Sequence, residues 1–89
     1  MKIFELANLP RSKELLHTYC CATLREIILE DDDEFELYIP ENEHTHYLAV
    51  ELYFPFRNAI FEEIKAGNIT SPSLYLGQVG NKLYLIKVR

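Results

Sequence analysis

The sequence has few of the residues that cross-link a chain or bend its backbone. Among its 89 residues are two cysteines, three glycines and no tryptophan. Cys20 and Cys21 are adjacent, and neighbours on a helix point about 100° apart, so these two thiols cannot form an unstrained disulfide with each other. A disulfide framework of the kind found in small secreted domains is therefore excluded.

Long apolar runs are also missing. No stretch approaches the roughly 20 apolar residues that a membrane-spanning helix needs. The opening residues, MKIFEL, contain no long apolar core with a small-residue cleavage site, as a secretory signal would. We therefore expect no membrane contact and a cytoplasmic location, in a bacterium or a phage-infected host cell.

The composition that is present is typical of one small folded domain. Hydrophobic residues make up 48% of the chain, and they include six tyrosines and five phenylalanines. Disordered chains are poor in such residues. A chain of this size buries roughly two thirds of the surface that its unfolded form exposes, which is enough for one core. Residues 1–89 are interpreted as a single domain.

The first half of the chain predicts a short strand, a helix and a second strand. Residues 2–6 are expected to be the short strand. Ser12 is the expected N-cap of a helix over residues 13–29, where apolar residues recur at helical spacing. A charged break follows, and residues 35–39 alternate apolar and polar side chains before Pro40, which predicts a half-buried strand.

Residues 46–54 are ambiguous. As a helix they would be apolar nearly all round, whereas alternation places Leu48, Val50 and Leu52 on one side. The period of two is favoured, so we predict a strand that forms a hairpin with residues 35–39. A second helix is then expected to have Pro55 in its first turn and to end at Gly67.

The last predicted strands cover residues 73–79 and 82–89. They flank Gly80 and Asn81, a two-residue turn of type I′ or II′, which places Tyr84 opposite Gly77. Both faces of the last strand are largely apolar. One face is expected to pack on helices and the other to be partly covered or to form an interface.

The predicted element order is therefore (β)αββαββ, an α+β fold. Strand, helix and strand repeated twice is the split βαβ pattern. We expect a ferredoxin-like antiparallel sheet with two helices on one face and a C-terminal β-hairpin.

Motifs for catalysis are sparse. His17 and Cys21 lie four residues apart on the first predicted helix, so the imidazole could reach the sulfur and favour the thiolate. No oxyanion-hole loop or third member of a triad accompanies them. The interpretation that we favour makes Cys20 a core residue and Cys21 a boundary residue. The three glycines are scattered and form no phosphate-binding loop. We therefore predict a protein that is not an enzyme and has no cofactor.

A metal site and a nucleic-acid site are both weakly supported. His44 and His46 are weak metal candidates, because a zinc site needs three or four ligands and the others cannot be assigned. A turn with exposed histidines is favoured instead. Lys82, Lys87 and Arg89 are few cations for binding phosphates, so no direct contact with nucleic acid is expected.

The distribution of charge is the most informative feature. The net charge is −5, and residues 73–89 contain three basic residues and no acidic one. No Lys or Arg lies between Arg25 and Arg57, a stretch that holds ten acidic residues. Such a run is often a solvated loop. With few cations nearby, however, it should also create a negative potential that attracts a basic partner.

We therefore predict a small acidic interaction protein that binds and inhibits a basic, nucleic-acid-processing protein. Compact acidic domains of this size are often immunity proteins, antitoxins, or phage proteins such as anti-CRISPR and anti-restriction inhibitors that mimic nucleic acid; this is an analogy of size and charge. The predicted contact residues are Glu30, Asp31, Asp32, Asp33, Glu34, Glu36, Glu41, Glu43, Tyr38 and Tyr47.

Two alternatives stay open. One is a self-associating structural or regulatory domain, in which the basic hairpin of one copy pairs with the acidic hairpin of another, or edge strands join into a continuous sheet. The other is a small enzyme that uses Cys21 with His17, or a metal at His44 and His46. The chain is expected to be a monomer or a homodimer.

Overall fold

A computed structural model describes residues 1–40, 47–70 and 73–88. Along the chain the elements are β1 (Lys2–Glu5), α1 (Lys13–Leu29), β2 (Glu34–Tyr38), α2 (Ala49–Lys65), β3 (Leu74–Val79) and β4 (Lys82–Lys87). The predicted α+β class is confirmed, and the four-stranded sheet with two helices fits a ferredoxin-like type of arrangement. Neither of the two helices in these ranges is long and apolar enough to cross a membrane.

The sheet has the strand order β1-β2-β4-β3. β1 lies parallel to β2, and α1 forms the long crossover that a parallel neighbour requires. β4 is antiparallel to both β2 and β3. The sheet is therefore mixed, and the prediction that it is antiparallel throughout is wrong at the β1–β2 pair.

The two helices cover one face of the sheet. Phe35 and Leu37 of β2 lie opposite Leu85 and Leu83 of β4, and all four side chains are at most 2% exposed. The helices contact each other and contribute further buried residues to this core, namely Cys20, Leu24, Ile27, Leu52, Phe56 and Ala59. The alternate residues of the same strands point away from the helices, so the second face of the sheet is left toward solvent.

Residues 47–54, the described part of the predicted strand 46–54, do not form a strand. α2 begins at Ala49, well before Pro55, and the helix continues through the proline. Leu52 and Phe56 are fully buried at helical spacing, whereas Phe54, which alternation would place beside them, is exposed. Because this segment is apolar nearly all round, both periods fitted the sequence, and packing against the core selects the helix.

The predicted caps and the C-terminal hairpin are confirmed. The Ser12 side chain accepts the Leu15 N–H at the start of α1, and Gly67, with φ +81°, follows α2. β3 and β4 pair in the predicted register, with Tyr84 opposite Gly77. Gly80 has φ +60°, which suits the first central residue of a type II′ turn.

Candidate functional site: the open face of the sheet

The face of the sheet opposite the helices carries aromatic and aliphatic side chains. Tyr84 of β4 lies between Glu36 of β2 and Gly77 of β3. Ile86, two residues further along β4, lies between Glu34 and Tyr75. We call this surface the open face; the strand register assigns to it Ile3, Glu5, Glu34, Glu36, Tyr38, Tyr75, Val79, Lys82, Tyr84 and Ile86.

The apolar side chains of the open face remain accessible. Ile3, Tyr38, Tyr75, Val79 and Ile86 are between 40% and 70% exposed. Gly77, opposite Tyr84, adds no side chain, so the tyrosine ring has an open neighbouring position on β3. Exposed apolar side chains that adjoin one another on a surface are typical of interaction sites.

The charged groups of the open face are mostly carboxylates. Glu5, Glu34 and Glu36 lie on β1 and β2, and Lys82 is the one cation that the described strands contribute to this face. The Nζ of Lys82 is 3.9 Å from Oε1 of Glu36, and more than half of the lysine side chain is exposed. An ion pair of this length in water is weak, so the surface keeps an acidic character.

The acidic turn before β2 is partly neutralised by the chain itself. Nζ of Lys2 lies 2.7 Å from Oε2 of Glu30 and 3.9 Å from Oδ2 of Asp32. The hydrogen bond to Glu30 is the main reason that the pKa of Lys2 is raised. Asp31 and Asp33 belong to the same turn. Lys2 is therefore a cation beside the acidic stretch. The sequence did not indicate it, because no Lys or Arg lies between residues 25 and 57.

Lys87, grouped with the basic residues of the hairpin in the sequence analysis, lies in the core. Its side chain is only 9% exposed, and its ammonium lies 5.5 Å from the centre of the Phe35 ring. Nζ donates to the carbonyl oxygen of Ile27 at 3.0 Å and to that of Glu30. Residues 26–29, the last turn of α1, contain no basic residue, so Lys87 supplies from β4 the donors that this helix end requires.

Tyr47 lies apart from the open face. Its hydroxyl donates to the carbonyl oxygen of Pro10 at 2.6 Å, and its ring, like that of Tyr53, packs against the core. The prediction that places Tyr47 on a strand is wrong, because residues 47–54 form no strand. The remaining predicted residues Glu41, Glu43, His44 and His46 lie outside the described residues.

The predicted contact between His17 and Cys21 is present. Nε2 of His17 is 3.7 Å from Sγ of Cys21. Burial raises the pKa of the Cys21 thiol, and the nearby carboxylate of Glu63 raises it further. Cys20 is fully buried, and burial raises its pKa to about 12. An activated nucleophile requires the opposite shift of its pKa, so this pair has the electrostatics of a structural contact.

Glu63 is a buried carboxylate that no motif in the sequence marks. It is 1% exposed; Oε1 accepts from Nε of Arg25 at 2.7 Å, and Oε2 accepts from Nδ2 of Asn68. Burial by itself would raise its pKa, but the hydrogen bonds from Asn68 and Arg25 outweigh that effect and the pKa is lowered. Glu63 thus ties α1 to the end of α2. Because Arg25 and Glu63 are 38 residues apart, local spacing gives no signal for this pair.

Other sites for chemistry are weaker. Within residues 1–40, 47–70 and 73–88, no three His, Cys, Asp or Glu side chains come together as metal ligands. An open cleft of about 310 Å³ lies between the end of α1, the segment after α2 and the start of the hairpin, where Ile28, Ile69 and Leu74 line it with Lys87. The amine of Lys87 is already engaged with backbone carbonyls, and the other described residues that line this cleft carry no titratable side chain.

The structure therefore brings together three of the predicted contact residues: Glu34, Glu36 and Tyr38. They share the open face with Tyr75, Tyr84 and Ile86, which were not selected, although the two-sided apolar character of β4 was the signal for them. No known protein family, curated protein or solved structure matches this chain.

Proposed function

We propose that this chain is a non-enzymatic interaction protein whose open face binds a basic surface of another protein. The observation that carries the proposal is the exposed cluster of tyrosine and aliphatic side chains set among Glu5, Glu34 and Glu36. Tyrosine offers a large, rigid ring with a polar tip and is enriched at protein interfaces. The apolar groups would supply the buried centre of the contact and the carboxylates its charged surroundings.

Charge supports a basic partner. The chain has a net charge of −5, and the acidic turn at residues 30–33 directly precedes the β2 strand of the open face. A negative surface raises the rate at which a positive partner is encountered and disfavours acidic competitors. Lys2 reduces this field at Glu30 and Asp32, and Lys82 reduces it at Glu36, so Glu34 is the carboxylate that we expect to contribute most.

The proposed partners are proteins with a Lys- or Arg-rich surface that normally holds nucleic acid, such as nucleases. A small acidic protein that occupies such a surface would inhibit the partner, as immunity proteins, antitoxins and phage-borne inhibitors do; this step rests on analogy of size and charge. The proposed setting is the cytoplasm of a bacterium or a phage-infected cell. Both cysteines are unpaired, which suits a reducing compartment.

The test compares partner capture by three versions of the full chain. The wild type, the double variant Tyr75→Ala/Tyr84→Ala and the control Leu15→Ala, an exposed apolar residue on α1, are immobilised and exposed to bacterial lysate. We expect the wild type and the control to retain the same basic protein and the tyrosine variant to lose it. Retention by all three versions would contradict the proposed site.

Charge reversal then tests the role of the carboxylates. With the captured protein in purified form, Glu34→Lys/Glu36→Lys should slow association by roughly tenfold or more at low salt and change dissociation less, because surface charges act mainly on encounter. Asp31→Lys/Asp32→Lys, in the turn before β2, is the matched control and should have a smaller effect. An equal effect of the two double variants would show that only net charge matters.

A further inference from the structure

α2 carries a second apolar stripe on the side away from the core. Its exposed positions are Val50, Glu51, Phe54, Arg57, Asn58, Phe61, Glu62 and Lys65. These positions recur every three to four residues, so they form one continuous face along the helix. Val50, Phe54 and Phe61 are 51%, 61% and 54% exposed. Phe54 and Phe61 are thus two exposed aromatic side chains on the same face, two helical turns apart.

The centre of this stripe is a compact cluster of rings around a guanidinium. The Cζ atom of Arg57 lies 5.9 Å from the centre of the Phe54 ring and 5.1 Å from that of Phe61. Tyr53 meets Phe54 edge to face, with ring centres 5.5 Å apart. Aromatic and arginine side chains dominate the energetic centres of protein interfaces. The cluster therefore has the composition of a binding centre.

We propose that this stripe is the interface of a homodimer in which α2 packs antiparallel against α2 of a second copy. In a twofold pairing centred between Arg57 and Asn58, the rise of about 1.5 Å per residue places Phe54 level with Phe61 of the second copy. Each such contact occurs twice in a twofold interface, so four phenylalanine rings would be buried. In this antiparallel orientation the phenylalanine-rich centres of the two stripes face each other.

The charges at the two ends of α2 favour a second copy as the occupant. Glu51 lies in the first turn and Lys65 in the last, and the same pairing brings Glu51 to within one residue, about 1.5 Å along the helix axis, of the level of Lys65 of the second copy. A parallel pairing would set Glu51 against Glu51 and Lys65 against Lys65. The two Arg57 side chains lie close to the twofold axis and repel each other. Glu62 of the opposite copy lies about one helical turn from each Arg57 and offsets this repulsion.

The expected affinity follows from the size of the contact. The 17 residues of α2 make a helix about 25 Å long, so one helix pair gives an interface at the small end of the specific range. We therefore expect a dimer with a dissociation constant in the micromolar range. Because α2 lies on the opposite side of the sheet from the open face, a partner could bind each copy within the dimer.

The first experiment is sedimentation equilibrium of the full chain from about 1 µM to about 1 mM, the range in which small interfaces associate. Wild type should pass from monomer to dimer. Phe61→Glu should stay monomeric throughout, and the control Leu15→Glu, which changes an equally exposed residue of α1, should dimerise as wild type does. A wild-type monomer at every concentration, or a dimer of Phe61→Glu, would overturn the proposal.

A charge exchange tests the orientation. Lys65→Glu and Glu51→Lys should each weaken the dimer by about five- to tenfold, as expected for two exposed ion pairs turned repulsive. The double variant should return to within about threefold of wild type, because the exchanged charges again face each other. Failure of this rescue would exclude the antiparallel pairing.

Two controls keep this inference separate from other effects. Glu51 also accepts the Leu48 N–H, so Glu51→Lys can lower thermal stability, and rescue is therefore judged from the dimer dissociation constant. Glu34→Lys/Glu36→Lys should leave that constant unchanged, since the open face is not part of the α2 pairing. Loss of the dimer in this variant would assign self-association to the open face instead.

Discussion

Lys87 gives the sharpest test of how this fold is held together. Replacing it by methionine keeps a long apolar side chain but removes the ammonium that donates to the carbonyls of Ile27 and Glu30. The end of α1 then loses its donors from β4, and the Ile27 oxygen keeps only the backbone N–H of Glu30, at 3.1 Å, as a partner. We expect a large loss of stability for a change of one lysine.

The magnitude follows from the two hydrogen bonds. Each bond from a charged donor contributes roughly 1.5–3 kcal/mol net, and the ammonium at a site 9% exposed has itself lost hydration, which offsets part of this gain. We therefore expect Lys87→Met to lower the free energy of unfolding by about 2–3 kcal/mol. For a domain of this size that is a fall in melting temperature of about 10–20 °C.

Lys82→Met is the matched control. Lys82 lies on the same strand, on the open face, with its Nζ 3.9 Å from Glu36 and its side chain largely exposed. Lys82→Met removes the same charge from the chain as Lys87→Met, but it should change the free energy of unfolding by less than about 0.5 kcal/mol. Urea unfolding followed by circular dichroism measures both variants. Equal effects of the two substitutions would refute the assignment of Lys87 as the cap of α1.

Three further predictions concern buried groups. The pKa of Glu63 in the folded chain is lowered from 4.5, so its contribution to stability is complete above pH 4.5 and is lost as the pH falls through the folded pKa. The free energy of unfolding of Glu63→Gln, measured in urea between pH 7 and 3, should therefore fall less steeply with acid than that of wild type. An equal fall in both proteins would contradict this. Phe56→Ala should cost about 3–5 kcal/mol in urea unfolding and Phe54→Ala much less; comparable losses would argue against the buried face of α2. Burial raises the pKa of both cysteine thiols, so Cys20 should resist iodoacetamide until the chain unfolds and Cys21 should react no faster than an ordinary thiol. Mass spectrometry measures the extent of labelling, and rapid modification of Cys21 would support a catalytic role.

Short-range patterns in the sequence were sufficient for much of the fold. The Ser12 cap and the helical spacing that follows it specify α1, because both signals act within a few residues. The Gly80-Asn81 turn sets the register of β3 and β4, since a two-residue turn leaves one pairing for the strands beside it. The alternation in residues 35–39 likewise identified β2 and its buried side.

The tertiary structure decided what these patterns left open. In residues 49–54 the apolar side chains fit both the helical and the strand spacing. The helix forms because it packs Leu52 against the core together with Phe56. Lys2, Lys87 and Arg25 find their acceptors 28 to 60 residues away in the chain, so no local spacing reveals those contacts. The open face is assembled by the strand register, which places the β2 carboxylates beside the β4 tyrosine. The outer stripe of α2 is exposed because the other side of this helix is buried in the core.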